Sequence, residues 1–155
     1  MNNDLITREG YQILLKKFEG LQAKLKRAQR EVSEAMDDGD FREDSKYSIA
    51  IEERSKIENS VDKLNTIIES AKIVVPDFNS DSITFGRSAK VQNIDSESIQ
   101  VFTVVGTNES DPKVGKISYA SPFGRAMLGL TEGDTFEVVT HKKETSWEVL
   151  EVLGA

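Results

Sequence analysis

The sequence predicts an α+β protein, because a helical repeat in its first half gives way to a strand repeat in its second half. In residues 11–35 and 47–71, apolar side chains recur at alternating steps of three and four, the spacing of heptad helices. From residue 88 onward the apolar period is two, as in strands. Pro76 and the polar residues after it interrupt both patterns. We therefore expect an antiparallel coiled coil in residues 1–75 and a globular domain in residues 76–155.

The first predicted helix begins after Thr7, whose hydroxyl can cap it. Apolar or small residues then follow the three-four alternation without a break. They are Tyr11, Leu14, Phe18, Leu21, Leu25, Ala28, Val32 and Ala35. About 30 residues at a rise of 1.5 Å give a helix roughly 45 Å long. Because the charged residues lie off this stripe, we expect a partner helix to cover it.

The second predicted helix repeats the same spacing after a short acidic segment. Its stripe consists of Tyr47, Ala50, Arg54, Ile57, Val61, Leu64, Ile68 and Ala71. Arg54 is the one charged residue in it. A turn this short between two heptad helices makes them fold back on each other in antiparallel orientation.

The second half of the chain is predicted to form a mostly antiparallel sheet with one short helix. Five segments have the period and composition of strands: 88–93, 98–105, 116–119, 135–140 and 146–152. Ser121 can cap the helix, Pro122 fits its first turn, and Gly129 ends it. Residues 141–144 are predicted to be the loop of the last hairpin.

Composition excludes several classes of protein. The 155 residues include no cysteine, which excludes disulfides and thiolate chemistry, and the one histidine, His141, cannot form a multi-histidine zinc site within one chain. No apolar run approaches the roughly 20 residues that span a bilayer, and the N-terminus does not resemble a signal peptide. The net charge of −7 argues against a general nucleic-acid coat. We expect a soluble, cytoplasmic monomer that does not associate with membranes.

Charge is unevenly distributed along the predicted helical hairpin. Residues 16–30 hold six basic residues and one acid, whereas residues 31–44 hold seven acids and one base. Five of those acids fall within residues 37–44, where the two helices are expected to meet. Packed carboxylates raise one another's pKa unless a cation neutralises them. The residues alone leave two interpretations open, a solvated turn or a metal-binding or catalytic tip.

Two motifs resemble signatures of the bacterial Gre transcript-cleavage factors, GreA and GreB. The first is Gly39-Asp40-Phe41-Arg42-Glu43-Asp44-Ser45-Lys46-Tyr47. The second is Ile117-Ser118 followed by Ser121-Pro122-Phe123-Gly124-Arg125-Ala126-Met127-Leu128-Gly129. The start, Ile6-Thr7-Arg8-Glu9-Gly10-Tyr11, and the pair Ser146-Trp147 resemble GreB more than GreA. Asp44 stands where the family usually has Asn, and Lys46 where it usually has an acid.

The resemblance implies a factor that binds RNA polymerase and is not an enzyme by itself. The coiled coil would enter the secondary channel of the polymerase, into which backtracked nascent RNA is extruded. There Asp40 and Glu43 would help to hold the second Mg²⁺ of a two-metal hydrolysis that the polymerase carries out. The domain that follows would be FKBP-like and would dock on the polymerase.

The resemblance also assigns roles to further residues. Contacts with RNA or polymerase are expected from Lys24, Arg27, Arg30, Arg42, Asp44 and Tyr47, and docking from Ser121, Pro122 and Arg125. Structural alternatives remain: the basic residues as ordinary coiled-coil surface, Arg42 in a salt bridge near the helix cap, Tyr47 as packing. Alternative functions are a channel-binding inhibitor with the same fold, a plain interaction module and an autonomous nuclease.

Overall fold

A computed structural model of the protein describes residues 4–141 and 143–154. The chain divides into two compact units, Tyr11–Ser70 and the residues up to Gly10 together with those from Ala71 onward. The elements are β1 (Leu5–Ile6), α1 (Arg8–Asp37), α2 (Lys46–Ser70), β2 (Lys72–Ile73), β3 (Ser88–Asn93), β4 (Ile99–Val105), β5 (Lys116–Ser118), α3 (Pro122–Met127), β6 (Thr135–Thr140) and β7 (Lys143–Val152). Two short 3-10 turns, Thr107–Glu109 and Pro112–Val114, precede β5.

The helical unit has the predicted heptad stripe as its interior. Every stripe position within α1 and α2 is buried or half-buried, while several apolar residues off the stripe, such as Ile13 and Ile49, are exposed. Ala28 of α1 lines a surface groove with Ile57 of α2, and Ala35 lines another with Ala50. Moving along α1 from residue 28 to residue 35 thus corresponds to moving backwards along α2 from residue 57 to residue 50. The two helices therefore run antiparallel. The predicted hairpin is confirmed, and the Thr7 hydroxyl caps α1 by accepting a hydrogen bond from the Gly10 amide at 3.1 Å.

The second unit is built on a five-stranded sheet in the order β5-β4-β3-β7-β6. Three of its pairings are antiparallel, and β4 pairs with β5 in parallel. The core lies on the side that α3 covers. Its fully buried members include Val91, Val104, Met127 and Val149. The α+β class predicted from the change of period is therefore confirmed.

One aromatic ring joins α3 to the sheet. Phe123 makes edge-to-face contacts with three rings, its centroid lying 5.0 Å from that of Phe102, 5.4 Å from that of Phe136 and 5.1 Å from that of Trp147. These rings come from α3, β4, β6 and β7. Together with the fully buried Met127, this ring packs the short helix against the sheet.

The last hairpin is tighter than predicted. β7 begins at Lys143, which pairs with Thr140, so the prediction of a loop through residue 144 was wrong. His141 has a φ of 47°, the left-handed conformation that two-residue hairpin turns require. Lys142 lies outside the described residues. The exposed, polar start of β7 resembles a loop in composition, which explains the error.

A pairing that the sequence did not reveal involves the start of the chain. β1 pairs in parallel with β2, Leu5 opposite Lys72 and Ile6 opposite Ile73. Ile6 is only 2% exposed. Residues 4–10 and 71–75 therefore belong to the unit that contains the sheet, whereas the sequence analysis placed them in the coiled coil. Strands of two residues are too short to produce a periodic pattern.

Glu109 holds this first segment through hydrogen bonds. Its carboxylate accepts from the Thr7 amide at 2.7 Å, from the Thr7 hydroxyl, and from the Gly106 amide at 3.0 Å. A Cβ at Gly10 would collide with the same carboxylate. Two backbone amides thus depend on one partly buried acceptor.

Replacing Glu109 by Ala is expected to lower the free energy of unfolding by roughly 1–3 kcal/mol, because two partly buried amides lose their partner. Urea denaturation followed by circular dichroism measures this loss. The exposed Glu132 provides a matched control, and its replacement by Ala should change stability by less than about 0.5 kcal/mol. Equal stability of the two variants would contradict the role of Glu109.

Candidate functional site at the hairpin tip

The turn between α1 and α2 consists of residues 38–45. The end of α1 tightens through hydrogen bonds from the Asp38 amide to the Ala35 carbonyl at 3.2 Å and from the Gly39 amide to the Met36 carbonyl at 3.1 Å. Gly39 has a φ of 72°, a conformation that residues with a Cβ rarely adopt. The chain reverses at this glycine, which places Asp40 immediately beyond the end of α1.

Ser45 fixes the other side of the turn. It is 6% exposed, and its hydroxyl accepts a hydrogen bond from the Ser48 amide at 3.2 Å, as an N-cap of α2 does. The sequence analysis gave Ser45 no role, although a serine just before a heptad stripe is a signal for a helix cap. Glu43 and Asp44 precede this cap, where the helix dipole favours negative charge.

Asp40 is bound by Arg42, two residues further on. The Arg42 guanidinium donates from Nε to one carboxylate oxygen at 3.0 Å and from Nη2 to the other at 2.8 Å. The Arg42 amide also donates to the carboxylate, at 3.2 Å. These hydrogen bonds lower the pKa of Asp40 below its ordinary value and raise the pKa of Arg42. Both side chains remain accessible, at 42% for Asp40 and 79% for Arg42.

An aromatic pair joins the turn to the first turn of α2. The rings of Phe41 and Tyr47 are 4.9 Å apart and meet edge to face at 87°. Tyr47 is half-buried on the heptad stripe, whereas Phe41 is 60% exposed. The sequence analysis did not single out Phe41, because one aromatic residue in a charged loop carries no periodic signal.

The remaining acids of the tip are exposed to solvent. They are Asp37, Asp38, Glu43 and Asp44. Among residues 4–141 and 143–154, no three His, Asp or Glu side chains are grouped closely enough to hold a metal ion. The carboxylates of Asp40 and Glu43 are hard oxygen donors of the kind that Mg²⁺ prefers. Within the described residues, these carboxylates do not form a complete metal site.

The predicted basic contact residues lie on α1. Lys24, Arg27 and Arg30 are all exposed. Lys24 and Arg27 line one groove, together with Lys56 of α2 and two acids, Glu31 and Glu53. The local charge around this pair of basic residues is therefore mixed.

The predicted docking residues lie at α3. The Ser121 hydroxyl accepts a hydrogen bond from the Gly124 amide at 3.1 Å and donates one to the Ser118 carbonyl at 2.7 Å. The serine therefore has a structural role as the N-cap of α3. A Cβ at Gly124 would collide with that same carbonyl. Pro122 and Arg125 are exposed and available to a partner.

A helical hairpin with a carboxylate-rich tip, followed by a small sheet domain, defines a class of proteins that presents acidic groups on a slender coiled coil. Two family profiles cover nearly the whole chain. "Transcription elongation factor, N-terminal" matches residues 4–73, and "Transcription elongation factor, GreA/GreB, C-term" matches residues 78–153. The chain belongs to the GreA/GreB family of transcription elongation factors.

Individual relatives agree with this assignment. Transcription elongation factor GreA of Nitratiruptor sp. is 34% identical over 148 residues, which cover 95% of this chain and 91% of the relative. GreA of Alkaliphilus oremlandii is 35% identical and covers 89% of this chain and 91% of the relative. The leaning towards GreB is not confirmed, since both relatives are GreA proteins.

Among solved structures, the chain is similar to the transcription factor Gfh1. The identity is 28%, with 97% of each chain covered and a TM-score of 0.45. GreA factor homolog 1 of Thermus thermophilus is also 28% identical, with 97% of this chain and 98% of that chain covered and a TM-score of 0.44.

In the described part of this chain, no helix is long and apolar enough to cross a membrane.

Proposed function

We propose that this protein binds bacterial RNA polymerase and stimulates the cleavage of backtracked nascent RNA. One observation carries the proposal. Asp40 and Glu43 lie in an accessible turn at the end of a two-helix coiled coil, within a chain of the GreA/GreB family. The reaction belongs to the polymerase, and this protein acts on it as an accessory factor in the cytoplasm.

The dimensions of the hairpin support delivery of the tip into a narrow channel. α1 has 30 residues, which at 1.5 Å per residue correspond to about 45 Å. Two packed helices without side branches are slender enough to enter a space that a globular domain cannot. Residues at the turn therefore lie about 45 Å from the start of α1.

The chemistry of the tip supports a contribution to metal binding. Metal ions in a two-metal site stabilise the attacking and leaving oxygens of a phosphodiester hydrolysis. The carboxylates of Asp40 and Glu43 would supply oxygen ligands to the more weakly held Mg²⁺, together with aspartates of the polymerase. Two carboxylates hold Mg²⁺ poorly by themselves, so the protein would act only when the polymerase presents the ion.

Most of the affinity for the polymerase and the RNA would come from surfaces outside the tip. Pro122 and Arg125 are exposed on α3 and would contact the polymerase, with Ser121 shaping the helix that presents them. Lys24, Arg27 and Arg30 would attract the phosphates of the extruded RNA, an interaction that weakens with salt. Asp44 and Tyr47 would contact the polymerase near the tip. The main role of Tyr47 would be to fix the turn by packing on Phe41. The protein would bind as a monomer.

A second candidate function is a channel-binding inhibitor that does not stimulate cleavage. The bidentate pairing of Asp40 with Arg42 favours it, because an occupied carboxylate is a poorer metal ligand. The departures at Asp44 and Lys46 from the usual family pattern point the same way. The two candidates differ in what happens to the RNA, since both require polymerase binding.

The test is to add the protein to polymerase that has been stalled in a backtracked register on RNA labelled at its 5′ end. Stimulated cleavage shortens the labelled RNA and restores elongation when nucleotides are added. An inhibitor leaves the RNA intact and slows elongation. Absence of both effects, with no binding to the polymerase, would contradict the proposal and leave an interaction module of another kind.

A further inference from the structure

Arg42 occupies both oxygens through which Asp40 would bind a metal ion. We propose that Arg42 is a positioning residue, which holds the Asp40 carboxylate in the free protein and gives it up when a divalent cation takes its place. The proposal rests on the proposed function for the identity of the cation. The exchange itself is a property of the free protein and can be measured without polymerase.

The guanidinium occupies the carboxylate oxygens that a cation would bind. Its two donors reach separate oxygens of Asp40, at 3.0 and 2.8 Å, and so restrict the carboxylate to one orientation. A cation that binds Asp40 needs at least one of these oxygens. The two positive groups repel each other at such a distance, so binding of the ion requires the guanidinium to leave.

The surrounding structure allows the guanidinium to leave without unfolding the turn. The Arg42 side chain is 79% exposed, and its ion pair is with Asp40. The turn is fixed by other groups: the Arg42 carbonyl accepts from the Ser45 amide at 3.1 Å, Ser45 caps α2, and Phe41 packs on Tyr47. Rotation about the Arg42 side-chain bonds therefore exposes Asp40 while the backbone stays in place.

The ion pair between Arg42 and Asp40 is weak enough for a divalent cation to replace the guanidinium. Exposed ion pairs are generally weak, and bidentate geometry places this one at the upper end of their range, so Arg42 would reduce cation affinity by a factor of about three to five. A competition of that size weakens cation binding by the free tip without abolishing it. The polymerase, which presents an ion already held by its own ligands, could overcome it. The released guanidinium would lie two residues from Asp40, with a fork suited to phosphate oxygens.

The experiment measures Mn²⁺ binding to the free, full-length protein through paramagnetic broadening of the amide signals of residues 40–43. Arg42→Gln removes the guanidinium, and Arg42→Lys keeps the charge but cannot form the fork. Lys46→Gln is the matched control. It removes one positive charge at the same end of the hairpin, where Lys46 lines a groove with Glu34 and Asp38. Asp40→Asn shows how much broadening requires the Asp40 carboxylate.

We expect Arg42→Gln to bind Mn²⁺ about three to five times more tightly than Lys46→Gln, with Arg42→Lys between Arg42→Gln and wild type. The gain should disappear when Asp40→Asn is added. Equal affinities of Arg42→Gln and Lys46→Gln, or a gain that survives Asp40→Asn, would overturn the proposal. These outcomes are independent of the cleavage assay, so failure here leaves the proposed function standing, and failure of cleavage leaves the exchange standing.

Discussion

Replacing Asp40 by Asn is expected to slow RNA cleavage by stalled polymerase on the order of 100-fold, equivalent to about 2.7 kcal/mol of transition-state stabilisation. The amide keeps the shape of the side chain but removes the charged oxygen that we propose as a metal ligand. Glu43→Gln should have a similar effect. Cleavage should recover partly when the Mg²⁺ concentration is raised, because mass action refills a weakened site. Single-turnover cleavage with each variant at saturating concentration measures the loss.

Two neighbouring acids serve as controls for the charge of the tip. Asp37→Asn and Asp38→Asn remove the same charge from exposed positions outside the matched motif. We expect them to slow cleavage much less than Asp40→Asn does. Equal losses in all four variants would indicate a diffuse acidic field, and cleavage at the wild-type rate by the Asp40 and Glu43 variants would refute their role as ligands.

Replacing Phe123 by Ala is expected to destabilise the sheet domain by about 3 kcal/mol, the lower end of the range for phenylalanine because the ring is only half-buried. The substitution removes three edge-to-face ring contacts and leaves a cavity between α3 and the sheet. Polymerase binding should weaken as well, since we propose that Pro122 and Arg125 of α3 contact the polymerase.

Trp147, the one tryptophan of the chain, reports on this unit because it contacts Phe123. Urea denaturation followed by its fluorescence should give a lower midpoint for Phe123→Ala with an unchanged slope. Phe41→Ala removes the same side chain from a 60% exposed position in the helical unit and should leave that midpoint unchanged. A wild-type midpoint for Phe123→Ala would mean that the ring does not anchor α3.

The sequence determined the fold class because both repeats are long. Eight stripe positions in the first helix and seven in the second make the period of the coiled coil unambiguous, and every one of them is buried or half-buried. The caps at Thr7 and Ser121 followed from residue type and position alone. Local chemistry of this kind acts between neighbours in the chain, which is why it can be predicted without a structure.

Contacts between distant residues could not be predicted in this way. Glu109 binds Thr7 across 102 positions, and nothing in either local sequence indicates the other. At the tip, the motif pointed to Asp40 and Glu43 as ligands, and a salt bridge of Arg42 was one alternative. Bidentate binding to Asp40 depends on the path of the backbone after Gly39, which residue types alone do not determine.

The central claim is that the tip works at the 3′ end of the extruded RNA, and crosslinking tests it most directly. Because the chain has no cysteine, a single one at Asp37 can carry a short photoreactive group at the tip. A cysteine at the exposed Glu19, 18 residues away in α1 and so about 27 Å along its axis, is the control. In backtracked complexes we expect crosslinks to the last nucleotides of the RNA from position 37 and none to them from position 19. Absence of RNA crosslinks from position 37 while the protein remains bound to polymerase would contradict the claim.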